Sequence, residues 1–453
     1  MSSDHADPLD LSRLCALAEG ALDAARAAGA DAADAVAATG TSISVTLRNG
    51  VVEEAESSEG TDVGLRVFVG ARSALVSLGP AADLKEAAAR AVAMARAAPE
   101  DDTIGLADPA ALATATDAAP LDLADDEAPD MDALKARAEG LERAMTAVPG
   151  VTNSGGAAAS VSRGARWLAT TTGFSAGYVS SRHGHGATAV AGEGTRMERD
   201  GWSSGRRHLA DLTPVDEVGR IAAERAVRRL GSERLTTRTA TIVFEPRAAS
   251  GFVGHLLSAV NGSAVARGAS LLAKKRGERV FPEGITVRDD PTIVRGTASR
   301  PFDGEGLPAE PLNIVEDGVL EAFILDLSSG RKLGLPSNGR ASRGTGSPSP
   351  SSTNVSVIGG AGDMAELMKD AGSGLLVTDL IGMGANIVSG NYSRGCAGFW
   401  FEGGEIQYPV SEITIAGHLA DMFLRARFAD DAPGLYAVDA PSVAIEGMTI
   451  GGR

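Results

Sequence analysis

The sequence contains six histidines among 453 residues, and their spacing limits the metal chemistry open to the chain. His255 lies in an apolar helical pattern that follows a strand-like run, residues 239–260 reading TATIVFEPRAASGFVGHLLSAV. A catalytic zinc needs three protein ligands, and no second histidine or glutamate lies within one helical turn of His255. We therefore interpret His255 as a structural residue, and we keep metal ligation as the weaker alternative.

A second candidate site is the segment SSRHGHG, in which His183 and His185 are two residues apart. On a strand both side chains would point the same way and could chelate a metal. The flanking glycines favour an exposed pair with no such role. Cys396 has no nearby histidine to activate it, so we interpret it as a buried thiol. No phosphate loop or nucleophile elbow is present, and no complete catalytic set is visible.

Composition excludes several classes of protein. The hydrophobic share of 43% and the charged share of 22% are typical of a folded globular chain. A net charge of −17 argues against binding to nucleic acid, which depends on basic residues that neutralise phosphates. The N-terminal MSSDHADPLDLSRL has no apolar core of a secretory signal, and no apolar run approaches the ~18 residues that span a bilayer. We expect a cytoplasmic protein with no membrane contact.

Periodicity places these residues in an α+β fold of two domains. Asn49-Gly50, Asp317-Gly318 and Gly403-Gly404 each separate two alternating runs and predict hairpins. Residues 150–210 alternate in what we expect to be short strands, the segment 99–130 reads as a surface connection, and no repeat is evident. Helical spacing predicts helices near residues 9–28, 82–98, 131–147, 214–230, 361–371 and 415–426.

The predicted domain boundary is the polar segment GSERLTTRT. We expect residues 1–235 to form an α/β domain with a mixed or antiparallel sheet. Residues 236–453 should form a mainly antiparallel β domain. The Gly/Ser/Pro-rich segment 337–354 should be a loop.

Several long segments resemble the TldD/PmbA family, also called the modulator of DNA gyrase family, and within it the PmbA/TldE branch. The C-terminal stretch 390–422, GNYSRGCAGFWFEGGEIQYPVSEITIAGHLADM, is the most specific. Residues 244–268, residues 328–344 and the segments YVSSRHGHG and MERDGW follow the same order and spacing as that branch. The similarity covers nearly the whole chain.

The resemblance implies a zinc site that this chain lacks. TldD-type subunits carry an HExxxH motif and a cysteine ligand near the C-terminus. Here Ser250 and Gly251 stand in place of the first histidine and the glutamate, and His255 matches only the last histidine. No cysteine follows Cys396. The resemblance therefore implies no catalytic residue, no metal ligand and no cofactor in this chain, with zinc held by a TldD-type partner.

The favoured hypothesis is a non-catalytic subunit that pairs with a TldD-type metalloprotease to degrade unfolded peptides and process microcin precursors. The hairpin around 398–410 could pair with a peptide strand. Alternatives are an autonomous zinc peptidase and a protein-binding modulator of DNA gyrase, and a homodimer is an open alternative when the partner is absent. Candidate contacts with peptide or partner are Tyr392, Arg394, Phe399, Trp400 and Tyr408.

Overall fold

A computed structural model describes residues 9–452 of the chain. Part of the N-terminal segment in which we expect no secretory signal therefore lies outside the described residues. The elements of the N-terminal part are, in chain order, α1 (Leu11–Ala27), β1 (Ala32–Arg48), β2 (Val51–Val69), β3 (Arg72–Leu78), α2 (Leu84–Ala97), α3 (Met131–Thr146), β4 (Val151–Thr170), β5 (Ser175–Ala191), β6 (Glu198–Arg206) and α4 (Val215–Arg228).

The six strands of this part form one antiparallel sheet in the order β3-β2-β1-β4-β5-β6. All four helices of this part pack on the same face of the sheet. The side chains buried beneath them come from the odd-numbered residues of β1 and β4, which point to one face of a strand. The unit helix, three strands, helix occurs twice, and the two copies meet where β1 pairs with β4. The sequence showed no repeat, because this duplication is one of topology.

The C-terminal part is built mainly from strands. Its elements are, in chain order, β7 (Arg238–Phe244), α5 (Pro246–Ala259), α6 (Gly262–Ala266), β8 (Thr286–Asp289), β9 (Leu312–Glu316), β10 (Val319–Leu320), α7 (Leu327–Leu333), β11 (Ala341–Ser342), β12 (Ser349–Pro350), β13 (Val355–Ile358), α8 (Met364–Ala371), β14 (Ser373–Ile381), β15 (Asn391–Glu402), β16 (Glu405–His418), α9 (Leu419–Leu424), β17 (Arg427–Phe428), β18 (Val438–Asp439) and β19 (Val443–Gly451).

One sheet of this part closes on itself. Its order is β16-β15-β14-β7-β19-β17, and a further pairing of β16 with β19 joins the two sides. Strand β7 is buried on both faces, with Ile242 and Phe244 facing the core around α5 and Val243 facing α8. Every pairing in this sheet is antiparallel except the one between β7 and β14. The predicted α+β class, with a mainly antiparallel C-terminal part, is confirmed.

The predicted turns are present at the positions that the glycines indicated. Asn49-Gly50, Asp317-Gly318 and Gly403-Gly404 all have positive φ and connect antiparallel strands, as two-residue hairpins require. The boundary predicted after residue 235 falls between α4 and β7 and stays a prediction.

Two expectations about the N-terminal half were wrong. Residues 150–210 do not form short strands, because β4 and β5 run for 20 and 17 residues without a break. Their glycines and serines sit inside the strands and not at turns. The segment 99–130 is not wholly superficial, since Leu121, Leu123 and Asp125 are buried. No helix among residues 9–452 is long and apolar enough to cross a bilayer.

Candidate functional site

Helix α5 begins where β7 meets proline. Glu245 is extended, as a residue before proline must be, and Pro246 occupies the first helical turn, where its missing N–H is not needed. Phe252, Val253 and Leu256 are buried in the core of the closed sheet. That packing fixes the rotation of α5 and turns Gly251, Gly254, His255 and Ser258 to the opposite face.

His255 is half-buried on that face, and its ring meets the ring of Tyr392 on β15 edge to face, with centroids 5.8 Å apart. Its Nε2 is shielded from solvent and has no hydrogen-bond partner among the described residues. Burial, and then the positive charge of Arg394, lower the pKa of His255 below its usual value. The imidazole is therefore neutral near pH 7.

The residues in the metal-motif positions do not fit a zinc ion. The Ser250 hydroxyl donates to the Pro246 carbonyl at 2.9 Å within the helix, and Gly251 has no side chain. A Cβ added to Gly251 would lie 4.0 Å from Nη1 of Arg394, so a guanidinium lies beside the helix. A fixed positive charge at this point opposes a cation, and no group of three or more potential ligands occurs within residues 9–452.

Cys396 does not supply the missing ligand. It is buried on β15, and burial raises the pKa of its thiol to about 12, with the nearby charge of Asp379 adding to the effect. No group of three or more potential metal ligands that includes Cys396 occurs within residues 9–452. The interpretation of Cys396 as a buried thiol is consistent with the structure.

The histidine pair of β5 is buried, so the expectation of an exposed pair was wrong. His183 and His185 face the helices, and each has its own polar neighbour. His183 Nε2 lies 3.2 Å from Oδ2 of Asp125, whereas His185 Nε2 lies 2.9 Å from the Thr213 carbonyl oxygen. The two rings therefore serve separate contacts and do not chelate together.

The five predicted contact residues all lie on β15 and β16. Tyr392, Phe399 and Trp400 are buried, while Arg394 and Tyr408 are half-buried. The Trp400 ring lies under the guanidinium of Arg238, and its Nε1 donates to Glu402 at 2.9 Å. Residues 398–402 pair with β14 on one side and β16 on the other, so this part of the predicted hairpin edge cannot add a peptide strand. Contact with peptide or partner stays a prediction for these five residues.

An ion cluster at the start of α5 joins the two parts of the chain and was missed in the sequence. Arg225 Nη2 on α4 lies 2.6 Å from Oε1 of Glu245, and Arg247 Nη2 lies 3.1 Å from Oδ1 of Asp200. Arg229 Nη1 lies 3.2 Å from Oδ2 of Asp379. The i, i+4 spacing of the two α4 arginines indicated a shared face, but nothing indicated the partners.

A cavity of about 700 Å³ lies beside this cluster, where Gly184, Gly186 and Trp202 face Arg247 and Tyr436. Arg247 is already engaged in the fold, because it also donates to the carbonyl oxygens of Gly201 and Thr378 at 3.0 and 2.9 Å. The Trp202 ring packs against the same guanidinium. These contacts give Arg247 a structural role at the wall of the cavity.

Comparison with known proteins places the fold and these sites in context. Three domains of the PmbA/TldA metallopeptidase family match the chain in order. Domain 1 matches residues 33–95, the central domain matches 119–230 and the C-terminal domain matches 237–452. The chain is similar to "Metalloprotease PmbA" of Escherichia coli O157:H7, with 35% identity over 429 residues that cover 93% of each chain. These descriptions indicate a metal in the family.

Two solved structures share the fold. A Bacteroides thetaiotaomicron protein described as a modulator of DNA gyrase is 24% identical, with a TM-score of 0.88 over 96% of this chain and 98% of its own. TldE from Thermococcus kodakarensis is 20% identical, with a TM-score of 0.82 over 96% of this chain and 99% of its own. Three domain matches in order and a relative of nearly full coverage give one conclusion: the chain belongs to the TldD/PmbA family.

Proposed function

We propose that this protein is a non-catalytic, PmbA/TldE-type subunit of a metalloprotease that degrades unfolded peptides and processes peptide precursors. One observation carries the proposal. In a chain that matches a metalloprotease over 93% of its length, the helix in the metal position has a self-bonded serine, a glycine and a neighbouring arginine in place of ligands. Hydrolysis of a peptide by zinc needs the ion and a base for its water, and α5 supplies neither.

The reaction therefore requires a second subunit. We propose a TldD-type partner that holds zinc, with this chain contributing walls of a shared cavity that admits extended peptide and excludes folded protein. An edge for peptide pairing is confined to residues 405–408 of β16, where no pairing other than that to β15 occurs in the described structure. Tyr408 belongs to that edge, Phe399 and Trp400 lie on the paired strand beside it, and Tyr392 lies at the far end of that strand opposite Gly417. We place this work in the cytoplasm, as the sequence predicts.

The test is reconstitution with the TldD-type protein of the same organism. Zinc content and cleavage of an unfolded casein-like substrate are measured for this chain alone, for the partner alone and for the mixture. We expect zinc well below one equivalent in this chain, no cleavage by it alone, and cleavage by the mixture that exceeds the partner's own. A mixture that behaves like the partner alone would remove the subunit role.

A matched variant tests the metal position directly. Replacing Ser250→His together with Gly251→Glu restores two donors of the motif. We expect no peptidase activity, because a third ligand and the groups that orient ligands are still missing and Arg394 still opposes the ion. Activity that appears in this variant and disappears with a chelator would show that α5 is closer to a metal site than we propose.

The name of the relative from E. coli keeps an autonomous metallopeptidase as the second candidate. Cleavage by this chain alone, with one zinc per chain that is lost in His255→Ala, would establish that function in place of the first. A modulator of DNA gyrase is a weaker alternative, since the neighbour with that description shows only a shared fold. With a net charge of −17, we expect duplex DNA to bind no better than about 10⁻⁴ M at physiological salt.

A further inference from the structure

We propose that the face of α5 at His255 is a binding site for a carboxylate, built from the His255 imidazole and the Arg394 guanidinium. The site lies where a metalloprotease of this family is expected to hold its ion, and it has the opposite electrostatic preference. The first observation is that Arg394 has no carboxylate partner among residues 9–452. Its guanidinium makes one long hydrogen bond, from Nη2 to the Leu380 carbonyl oxygen at 3.4 Å, and its buried Nε has no partner.

His255 is also unpaired at the atom that could bind. Its Nδ1 has no hydrogen-bond partner among the described residues and, unlike the buried Nε2, is not shielded from solvent. In the neutral imidazole with its proton on Nδ1, this atom can donate a hydrogen bond to a ligand. Gly251 lies one helical turn before His255 on the same face of α5, and its Cβ position is 4.0 Å from Nη1 of Arg394. The imidazole and the guanidinium therefore lie along one face of the helix.

There is room for a ligand beside them. A Cβ built on Gly254 would meet nothing within 4 Å, and one built on Gly251 would meet only the Arg394 guanidinium at 4.0 Å. The two glycines leave the helix surface open next to His255, and Tyr392 closes the other side with its ring. The helix surface beside His255 can therefore accommodate a group of the size of a carboxylate.

The charges select the ligand. A guanidinium presents parallel N–H groups that match the two oxygens of a carboxylate, and the imidazole N–H can donate a third hydrogen bond. A metal ion is repelled by the same arginine. Since the chain carries −17 overall, anions are not attracted to it in general, and binding here depends on this local pair.

The surroundings favour a carboxylate that belongs to a peptide. The loop 382–390 follows β14 and is pressed against β15 beside Arg394, where a Cβ on Gly384 would lie 1.6 Å from the Ser393 carbonyl oxygen. The same region exposes Ile381, Met383 and Val388, with Met383 fully accessible. A peptide could place its carboxylate on Arg394 and apolar side chains on this loop. The peptide as the source rests on the proposed function, whereas carboxylate binding to the pair does not.

The test follows the ring resonances of His255 by NMR in the full-length chain labelled in histidine. The probes are acetate, a short peptide with a free C-terminal carboxylate, the same peptide amidated, and an amidated peptide with an aspartate side chain. His255→Gln assigns the signal. We expect acetate to shift the His255 resonances saturably and the free-acid or aspartate peptide to bind more tightly than the fully amidated one.

Variants distinguish acetate binding at His255 and Arg394 from a general effect of salt on the histidine resonances. We expect Arg394→Gln to weaken acetate binding by on the order of tenfold or more, since a charge-assisted bidentate contact is lost. The matched control is Arg276→Gln, because Arg276 is an exposed arginine that donates to the Glu321 carbonyl oxygen. Unchanged circular dichroism and thermal midpoint establish that both variants fold.

Three outcomes decide the matter. Shifts that are absent, that involve all histidines alike, or that persist unchanged in Arg394→Gln would overturn the site. Saturable acetate binding without preference among the peptides would support a site for free carboxylates and remove the peptide as source. Failure of reconstitution with a TldD-type partner would leave the acetate result intact, so the two proposals fail separately.

Discussion

Arginines lie in two contrasting environments at helix α5. At its start, Arg247 and the neighbouring Arg225 are neutralised by Asp200 and Glu245, and the cluster joins the two parts of the chain. Along its far face, Arg394 lies beside Gly251 with no carboxylate within the described chain. The difference is one of function. Saturated arginines stabilise a junction, and an unsaturated arginine beside an open surface retains the capacity to bind.

In the non-catalytic subunit that we propose, the contrast explains how a metalloprotease fold can be kept without metal chemistry. The apolar face of α5 and the ion cluster at its start do not involve the ligand positions, so the fold survives changes there. Ser250 and Gly251 add no charged side chain at the motif positions, and the Ser250 hydroxyl is bonded within the helix. Arg394 lies beside this part of the helix and favours an anion over a cation.

The largest effect is expected at the saturated end. Asp200→Ala removes a buried carboxylate that faces Arg225, Arg229 and Arg247. Breaking a buried network from one side leaves uncompensated charge, so we expect a loss of about 3–5 kcal/mol in the free energy of unfolding. Urea denaturation of the variant and the wild type measures it.

The matched control for that variant is Asp23→Ala. Asp23 pairs with Arg26 at 2.9 Å, but its side chain is 75% exposed, so we expect a change within about 0.5 kcal/mol. Equal losses in Asp200→Ala and Asp23→Ala would mean that the cluster at the start of α5 does not stabilise the junction.

A second buried carboxylate, that of Glu305, should make the stability of the chain depend on pH. Glu305 lies in the junction near Arg66, Asp303 and Asp326, and accepts a hydrogen bond from the Leu327 N–H at 2.8 Å. Burial, with the charge of Asp303 adding to it, raises the pKa of Glu305 to about 8 from 4.5. The folded chain therefore binds more protons than the unfolded chain between these values, and stability falls as pH rises through that interval.

The variant Glu305→Gln isolates this contribution. Its amide oxygen can still accept the Leu327 N–H, but it does not ionise. Between pH 5 and 8.5, we expect the wild type to lose on the order of 3 kcal/mol of unfolding free energy relative to the variant, from urea midpoints at each pH. If the unfolding free energies of the two proteins change with pH in parallel, the charge of Glu305 is neutralised by its neighbours as fully as that of Asp200.

The smallest effect is expected at the unsaturated arginine. Arg394→Met keeps the apolar stem and removes a guanidinium that makes only one long hydrogen bond. We expect a change of less than about 1 kcal/mol in the free energy of unfolding, of either sign, by the same denaturation measurement. A loss comparable to that of Asp200→Ala would reveal a structural role for Arg394 and end the contrast.

The candidate site was predictable only in part. The periodicity of 239–260 located α5, whereas the inference that this helix holds no ligand set stays a prediction. The buried position of Tyr392, Phe399 and Trp400 was not predictable. A strand with consecutive aromatic residues looks the same at a free edge and between two neighbours, and only its pairing with both β14 and β16 distinguishes them.

The sequence alone determined most of the helices and three hairpin turns, because helix spacing and the positive φ of Asn-Gly, Asp-Gly and Gly-Gly pairs are local properties of the chain. It also determined which metal donors are missing from α5. Tertiary structure alone decided which charges are neutralised. Asp200 and Arg247 are 47 residues apart in the sequence, and Arg394 lies 143 positions beyond Gly251. Neither separation indicates that the residues are neighbours in the folded chain. Electrostatic contacts depend on distance in space, and only the folded chain sets that distance.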